Sequence, residues 1–201
     1  MEIIKVNSPY SQAAVRRIER LLAAGKVLIF PTDTVYGLVA DAGNESAVRK
    51  VFAIKGRQVY KKLPFFVASI KEAKKIAEIS RRQEGFLRKV WPGKVTVVLQ
   101  RKKDGGTIGL RIPDYPLLNQ VLSGTKMLLT GTSANLSGRP ASGDIKEIIK
   151  QFAGREMQPD AAVDAGVLSA SKPSTVVDLT SSAPKILRLG AVKLKVKALY
   201  F

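Results

Sequence analysis

The apolar residues of this chain fall into short runs interleaved with stretches of helical spacing, and that alternation restricts the fold more than any other feature of the sequence. Residues 27–30 are hydrophobic throughout and stop at Pro31, the pattern of a buried strand feeding a loop. Further strands are predicted at 65–68, 95–100, 107–112, 127–129, 161–163, 174–178 and 185–188. Helices are predicted between them, at 45–54, 70–79, 81–91, 115–122 and 144–152. A first helix is expected to open with Ser8 as N-cap and Pro9 in its first turn, because Ala13, Ala14, Ile18, Leu21 and Leu22 keep helical spacing up to Gly25. Helices intermixed with strands imply an α/β or α+β domain with one large twisted sheet. At 201 residues the chain is expected to form a single domain, 1–201.

Composition then removes whole classes of chemistry. With no cysteine there is no disulfide framework, thiol nucleophile or thiolate metal site. With no histidine there is no imidazole base and no Ser-His-Asp triad, so Ser133 is not a hydrolase nucleophile. Neither a Walker A pattern nor GxGxxG is present, which argues against an ordinary P-loop or Rossmann site. No run is long and apolar enough to span a membrane, and the first residues lack the regions of a signal peptide; the expectation is a cytoplasmic protein with no membrane partner. The formal net charge of +18 attracts polyanions, RNA or DNA among them, but suits a lysine-rich solubilising surface equally well.

Several polar motifs sit where strands end. PTDTVYGL, residues 31–38, follows an apolar strand directly, and its hydroxyls suit either a polar small molecule or a turn that satisfies its own backbone. Lys55-Gly56-Arg57 follows a predicted helix. Its glycine would let the backbone approach a ligand, and its point charge and guanidinium fork suit phosphate or carboxylate, or else a solvated helix end. Arg111 ends a strand in GLRIPDYP, where a cation must be paired, exposed or awaiting an anion. Residues 130–138 are dense in hydroxyl and amide groups, Ser174 opens a strand, and Arg188 ends another just before Gly190. Lys193, Lys195 and Lys197 alternate, which would place them on one face of a strand.

Taken in order, PTDTVYGL, KGR, WPGKVTVVL, GLRIPDYP, TSANLSG, PSTVVDL and ILRLGAV resemble the YrdC family of L-threonylcarbamoyladenylate synthases, over residues of about 10 to 192. The resemblance implies an open, twisted mixed sheet with flanking helices around a large basic cavity. It implies a nucleotidyltransferase that joins L-threonine, bicarbonate and ATP, the last with Mg²⁺, into threonylcarbamoyl-adenylate and pyrophosphate for the modification of tRNA. Carried over motif by motif, catalysis falls to Lys55 and Arg57, and ATP contacts to Lys55, Arg57, Lys61, Thr107, Asn135, Ser142 and Arg188. Threonine contacts fall to Thr34, Arg111, Ser133 and Ser174, with no protein metal ligand expected. Implied partners are the transfer-step proteins of tRNA threonylcarbamoylation and, directly, tRNA or other RNA. Phe66 stands where some members carry His, and Gln58 and Lys62 where prolines are common. The competing reading is a non-catalytic RNA-binding module of the same fold, although the aromatic residues form no interleaved stacking motif.

Overall fold

These periodicities become regular elements in the computed structural model of the chain, of which residues 1–56 and 63–194 are described. The strands are β1 (Glu2–Lys5), β2 (Leu28–Phe30), β3 (Gly37–Val39), β4 (Pro64–Phe66), β5 (Val95–Gln100), β6 (Thr107–Arg111), β7 (Leu129–Thr130), β8 (Thr132–Ser133), β9 (Ala161–Asp164), β10 (Thr175–Asp178) and β11 (Lys185–Arg188). The helices are α1 (Gln12–Ala23), α2 (Glu45–Lys55), α3 (Ile70–Ile76), α4 (Arg81–Val90), α5 (Pro116–Thr125) and α6 (Ile145–Phe152). The first helix begins later than expected: Ser11 is its N-cap, accepting from the Ala14 N–H at 3.2 Å, and Ser8 and Pro9 precede it. Lys193 lies beyond β11 in irregular chain, and Lys195 and Lys197, the rest of the expected lysine strand, lie outside the described residues.

Instead of one sheet there are two, ordered β1-β9-β2-β3-β8 and β11-β10-β5-β6-β4-β7. They meet along a single stretch of chain. β8 pairs antiparallel with β3, Leu38 opposite Thr132, and the same register continues to the isolated bridge between Asp41 and Leu129. The Thr130 N–H bonds the Ala40 carbonyl at 2.9 Å between those points, while the other edge of β7 pairs with β4. Residues 129–130 therefore touch both sheets, and the chain passes through Gly131 into β8 of the first sheet. A Cβ at Gly131 would lie 3.1 to 3.2 Å from the Phe66 ring, which would have to shift to admit it.

The two sheets are covered differently. Along β2, Leu28 and Phe30 enter the core beneath α1 and α5, whereas Ile29 enters the core with α2 and α6, so the first sheet is buried on both faces. On the second sheet, Val95, Val97, Leu99, Ile108, Leu110, Ile112 and Val177 pack beneath α3 and α4. Alternation sends Thr96, Val98, Thr107, Gly109, Arg111 and Val176 to the opposite face, where they line a cavity. The period of two thus separates core from site on the same strands.

Candidate active site

The cavity has a volume of about 450 Å³, in the range of small-molecule sites. The second sheet forms its floor. Its other walls are the loop after β2, the end of α2 at Lys55, and the chain from Gly131 through β8 to Gly138. The described lining carries three cations, Lys55, Arg111 and Arg188, and no carboxylate.

One corner is built around Arg111. Its side chain is only 5% exposed and pairs with Asp33, itself 6% exposed. The guanidinium also donates to the Gly93 carbonyl at 2.8 Å and to Thr34 Oγ1 at 3.2 Å, and it lies 5.8 Å from the centre of the Phe66 ring. Desolvation, opposed by Asp33, pulls the Arg111 pKa below the ordinary arginine value, and the like charge of Arg188 acts in the same direction as desolvation. Proton accounting fixes the Thr34 hydroxyl. Thr32 Oγ1 donates to the Val35 carbonyl at 2.7 Å, so in the 3.0 Å contact between the two hydroxyls Thr34 must be the donor. Having given its hydrogen to Thr32 and one lone pair to Arg111, Thr34 has a single acceptor site left, which matches an N–H or O–H of a ligand.

A second corner gathers around Lys55, the last residue of α2 and 4% exposed. Its ammonium donates to the Ser133 carbonyl (2.6 Å), the Asn135 carbonyl (2.9 Å) and Asn135 Oδ1 (3.2 Å). Ser133 Oγ also donates to Asn135 Oδ1, at 2.6 Å, and the Asn135 amide donates to the carbonyls of Leu136 and Arg139. Asn135 is thus the hub of the loop after β8. The following Gly56, with φ of 58°, is the left-handed cap of α2.

The third corner is Arg188, at the end of β11. It donates to the Ser174 carbonyl from Nε (3.1 Å) and Nη2 (2.8 Å) and to Ser174 Oγ (3.2 Å), and Ser174 Oγ lies 2.8 Å from Thr96 Oγ1. Thr175 Oγ1 accepts from the Gly190 and Val192 N–H groups at 3.1 Å each, clasping the chain after Arg188 onto β10. Gly190 has to be glycine here, since a Cβ would stand 2.1 Å from the Pro173 carbonyl oxygen.

Of the residues expected at the site, Thr34, Lys55, Thr107, Arg111, Ser133, Asn135, Ser174 and Arg188 all line this one cavity. Ser142 does not. Its hydroxyl donates to Glu147 at 2.6 Å and accepts from the Asp144 N–H, which serves the start of α6. Arg57 and Lys61 lie outside the described residues. Sequence reasoning missed Thr96 and the pairing of Asp33, and it gave Tyr36 no role. Tyr36 is fully buried, donates to the Gly166 carbonyl at 2.9 Å and accepts from the Ala165 N–H, and burial pushes its pKa up to about 12. The alternation of β5 was the signal for Thr96; nothing local signals the partner of Asp33. Among the described residues no cluster of three or more carboxylate, histidine or cysteine side chains is placed to hold a metal ion.

Known proteins resemble this chain in sequence and fold. The family model for Sua5, YciO and YrdC, described as telomere recombination, matches residues 20–190. The threonylcarbamoyl-AMP synthase of Pyrococcus abyssi is 31% identical over 202 residues, covering 96% of this chain, which spans 58% of that protein. A putative threonylcarbamoyl-AMP synthase of Methanocaldococcus jannaschii is 32% identical over 203 residues, with 97% of this chain and 94% of the relative covered. The crystal structure of P. abyssi Sua5 complexed with L-threonine aligns with a TM-score of 0.87 at 30% identity, over 94% of this chain and 58% of that one.

Proposed function

The chain belongs to the Sua5/YciO/YrdC family, and from that membership we propose that it makes L-threonylcarbamoyladenylate from L-threonine, bicarbonate and ATP, with release of pyrophosphate. The observation that carries the reading is a single cavity with three cations and no carboxylate in its described lining, and with the lone acceptor of Thr34 beside Arg111. An amino acid needs both features, a donor for its carboxylate and an acceptor for its nitrogen. A triphosphate needs the cations.

The chemistry suits a site without histidine. The neutral amine of threonine combines with bicarbonate to give the carbamate and water. A carbamate oxygen then attacks the α-phosphorus, the bond from phosphorus to the bridging oxygen breaks, and pyrophosphate leaves with the electron pair. Since the attacking group is already an anion, the step needs alignment and charge neutralisation more than a base. Lys55, Arg188 and the Arg57 of the KGR motif supply the positive charge in this proposal, with Lys61 beside them. Mg²⁺ enters as part of the MgATP substrate, held by phosphate oxygens and water, because the described lining offers it hydroxyls and amides and no carboxylate. Thr34 and Arg111 hold the amino acid, with Ser133 and Ser174 at its flanks. The product is an activated acyl donor, whose use is the modification of adenosine in tRNA.

The test is an omission series: protein, MgATP, bicarbonate and threonine, following pyrophosphate and the adenylate while each component is left out in turn. Pyrophosphate release that requires both threonine and bicarbonate supports the proposal. Release that ignores either one overturns it.

A further inference from the structure

The two arginines of the cavity are not equivalent. Arg111 carries its own counter-ion, whereas the hydrogen bonds of Arg188 go to neutral oxygens, the carbonyl and hydroxyl of Ser174. We infer that Asp33 is a specificity-determining residue, which cancels the charge of Arg111 so that this corner accepts a zwitterionic amino acid and leaves the polyphosphate to the corners of Arg188 and Lys55. The inference rests on the reading above, that amino acid and nucleotide share the cavity.

Three features point this way. Asp33 is absent from the cavity lining, so its carboxylate acts from behind Arg111 and takes none of the space a ligand would fill. Its second oxygen, Oδ2, is buried without a hydrogen-bond partner, so little else disperses the negative charge, and the field of Asp33 falls on Arg111 in a dry setting where Coulomb interactions are strong. Arg111 nevertheless keeps donors to spare. A guanidinium has five N–H groups, and the described bonds to Gly93, Thr34 and Asp33 account for three of them.

What remains at this corner is a pair with no net charge, spare donors for a carboxylate, and the Thr34 lone pair for a nitrogen. A polyphosphate gains little there beyond hydrogen bonds. Without Asp33 the same guanidinium would be a deeply desolvated, uncompensated cation close to Arg188, and the strongest attractor of phosphate in the cavity.

Calorimetric titration of the full chain tests this, with L-threonine and inorganic pyrophosphate as the probes. In the wild type the two should bind together, each leaving the affinity of the other within about threefold. In Asp33→Asn pyrophosphate should invade the Arg111 corner and weaken threonine binding by about tenfold or more, whereas Asp33→Glu, which keeps the charge, should behave as the wild type. Independent binding of the two probes in a folded Asp33→Asn protein would overturn the inference. Should Asp33→Asn not fold, the wild-type titration decides: mutual exclusion of threonine and pyrophosphate defeats the inference, because the charge partition would then not exist. A wild type that binds pyrophosphate but no threonine defeats the functional reading itself, a result distinct from either of these.

Discussion

The corner of Arg111 and the corner of Arg188 use the same side chain for opposite ends. At Arg111 the guanidinium is almost wholly buried and held from behind by a carboxylate, while at Arg188 it stands at the cavity wall with hydroxyl and carbonyl partners. A buried cation with a counter-ion contributes shape and donors; a cation with neutral partners contributes charge. The difference teaches that counting basic residues does not locate a phosphate site. The counter-ion has to be found first.

Breaking the buried pair gives the largest expected effect. Arg111→Ala strands the Asp33 carboxylate in the interior and should lower unfolding free energy by about 3–5 kcal/mol, measured by urea denaturation, with much of the loss recovered in the double variant Asp33→Asn/Arg111→Ala. The same truncation at Arg188 should cost the fold about 1 kcal/mol. Under the proposed function its main effect is expected on the nucleotide. Arg188→Ala forfeits charge-assisted contacts worth about 1.5–3 kcal/mol and should raise the KM for ATP about ten- to hundredfold, with threonine affinity little changed. Equal losses for both substrates would erase the distinction between the corners.

Smaller changes sharpen it. Thr34→Val keeps the shape and removes the acceptor, so threonine should bind about tenfold more weakly, a cost near 1.4 kcal/mol, with ATP binding unaffected. The effect at Tyr36 is absent at neutral pH and confined to alkaline pH. Burial raises its pKa from 10 to about 12, so the folded state favours the neutral phenol. Its contribution to stability is complete below pH of about 10 and is lost as the pH rises through about 12. Burial also raises Tyr115, so the readout is the difference between the wild type and Tyr36→Phe across that window.

Much of this was legible in the sequence where structure is local. β5 runs over Val95–Gln100 and β11 over Lys185–Arg188, as their apolar patterns predict, and α2 and α6 agree within a residue or so at each end. β1, β3 and β8 were not legible. β1 and β8 exist because partners distant in the chain, β9 and β3, supply their hydrogen bonds. The division into two sheets has the same origin, a shared segment whose register is fixed by tertiary contact. At the site, the family resemblance led to eight of the lining residues, but Asp33 read only as part of a loop suited to a ligand or a turn, because its partner stands 78 positions away. The alternation of β5 places Thr96 on the cavity face, but its partner Ser174 comes beside it only when β10 pairs with β5. Ser142 lies outside the described lining, and its hydroxyl bonds Glu147 and the Asp144 N–H at the start of α6.

Carbamate chemistry in one shared cavity is tested most directly with isotopically labelled bicarbonate. Protein, MgATP, threonine and labelled bicarbonate should yield an adenylate that carries one labelled carbon between the threonine nitrogen and the phosphate, detected by mass spectrometry. An adenylate without the label, or pyrophosphate release that continues when bicarbonate is withheld, would contradict it.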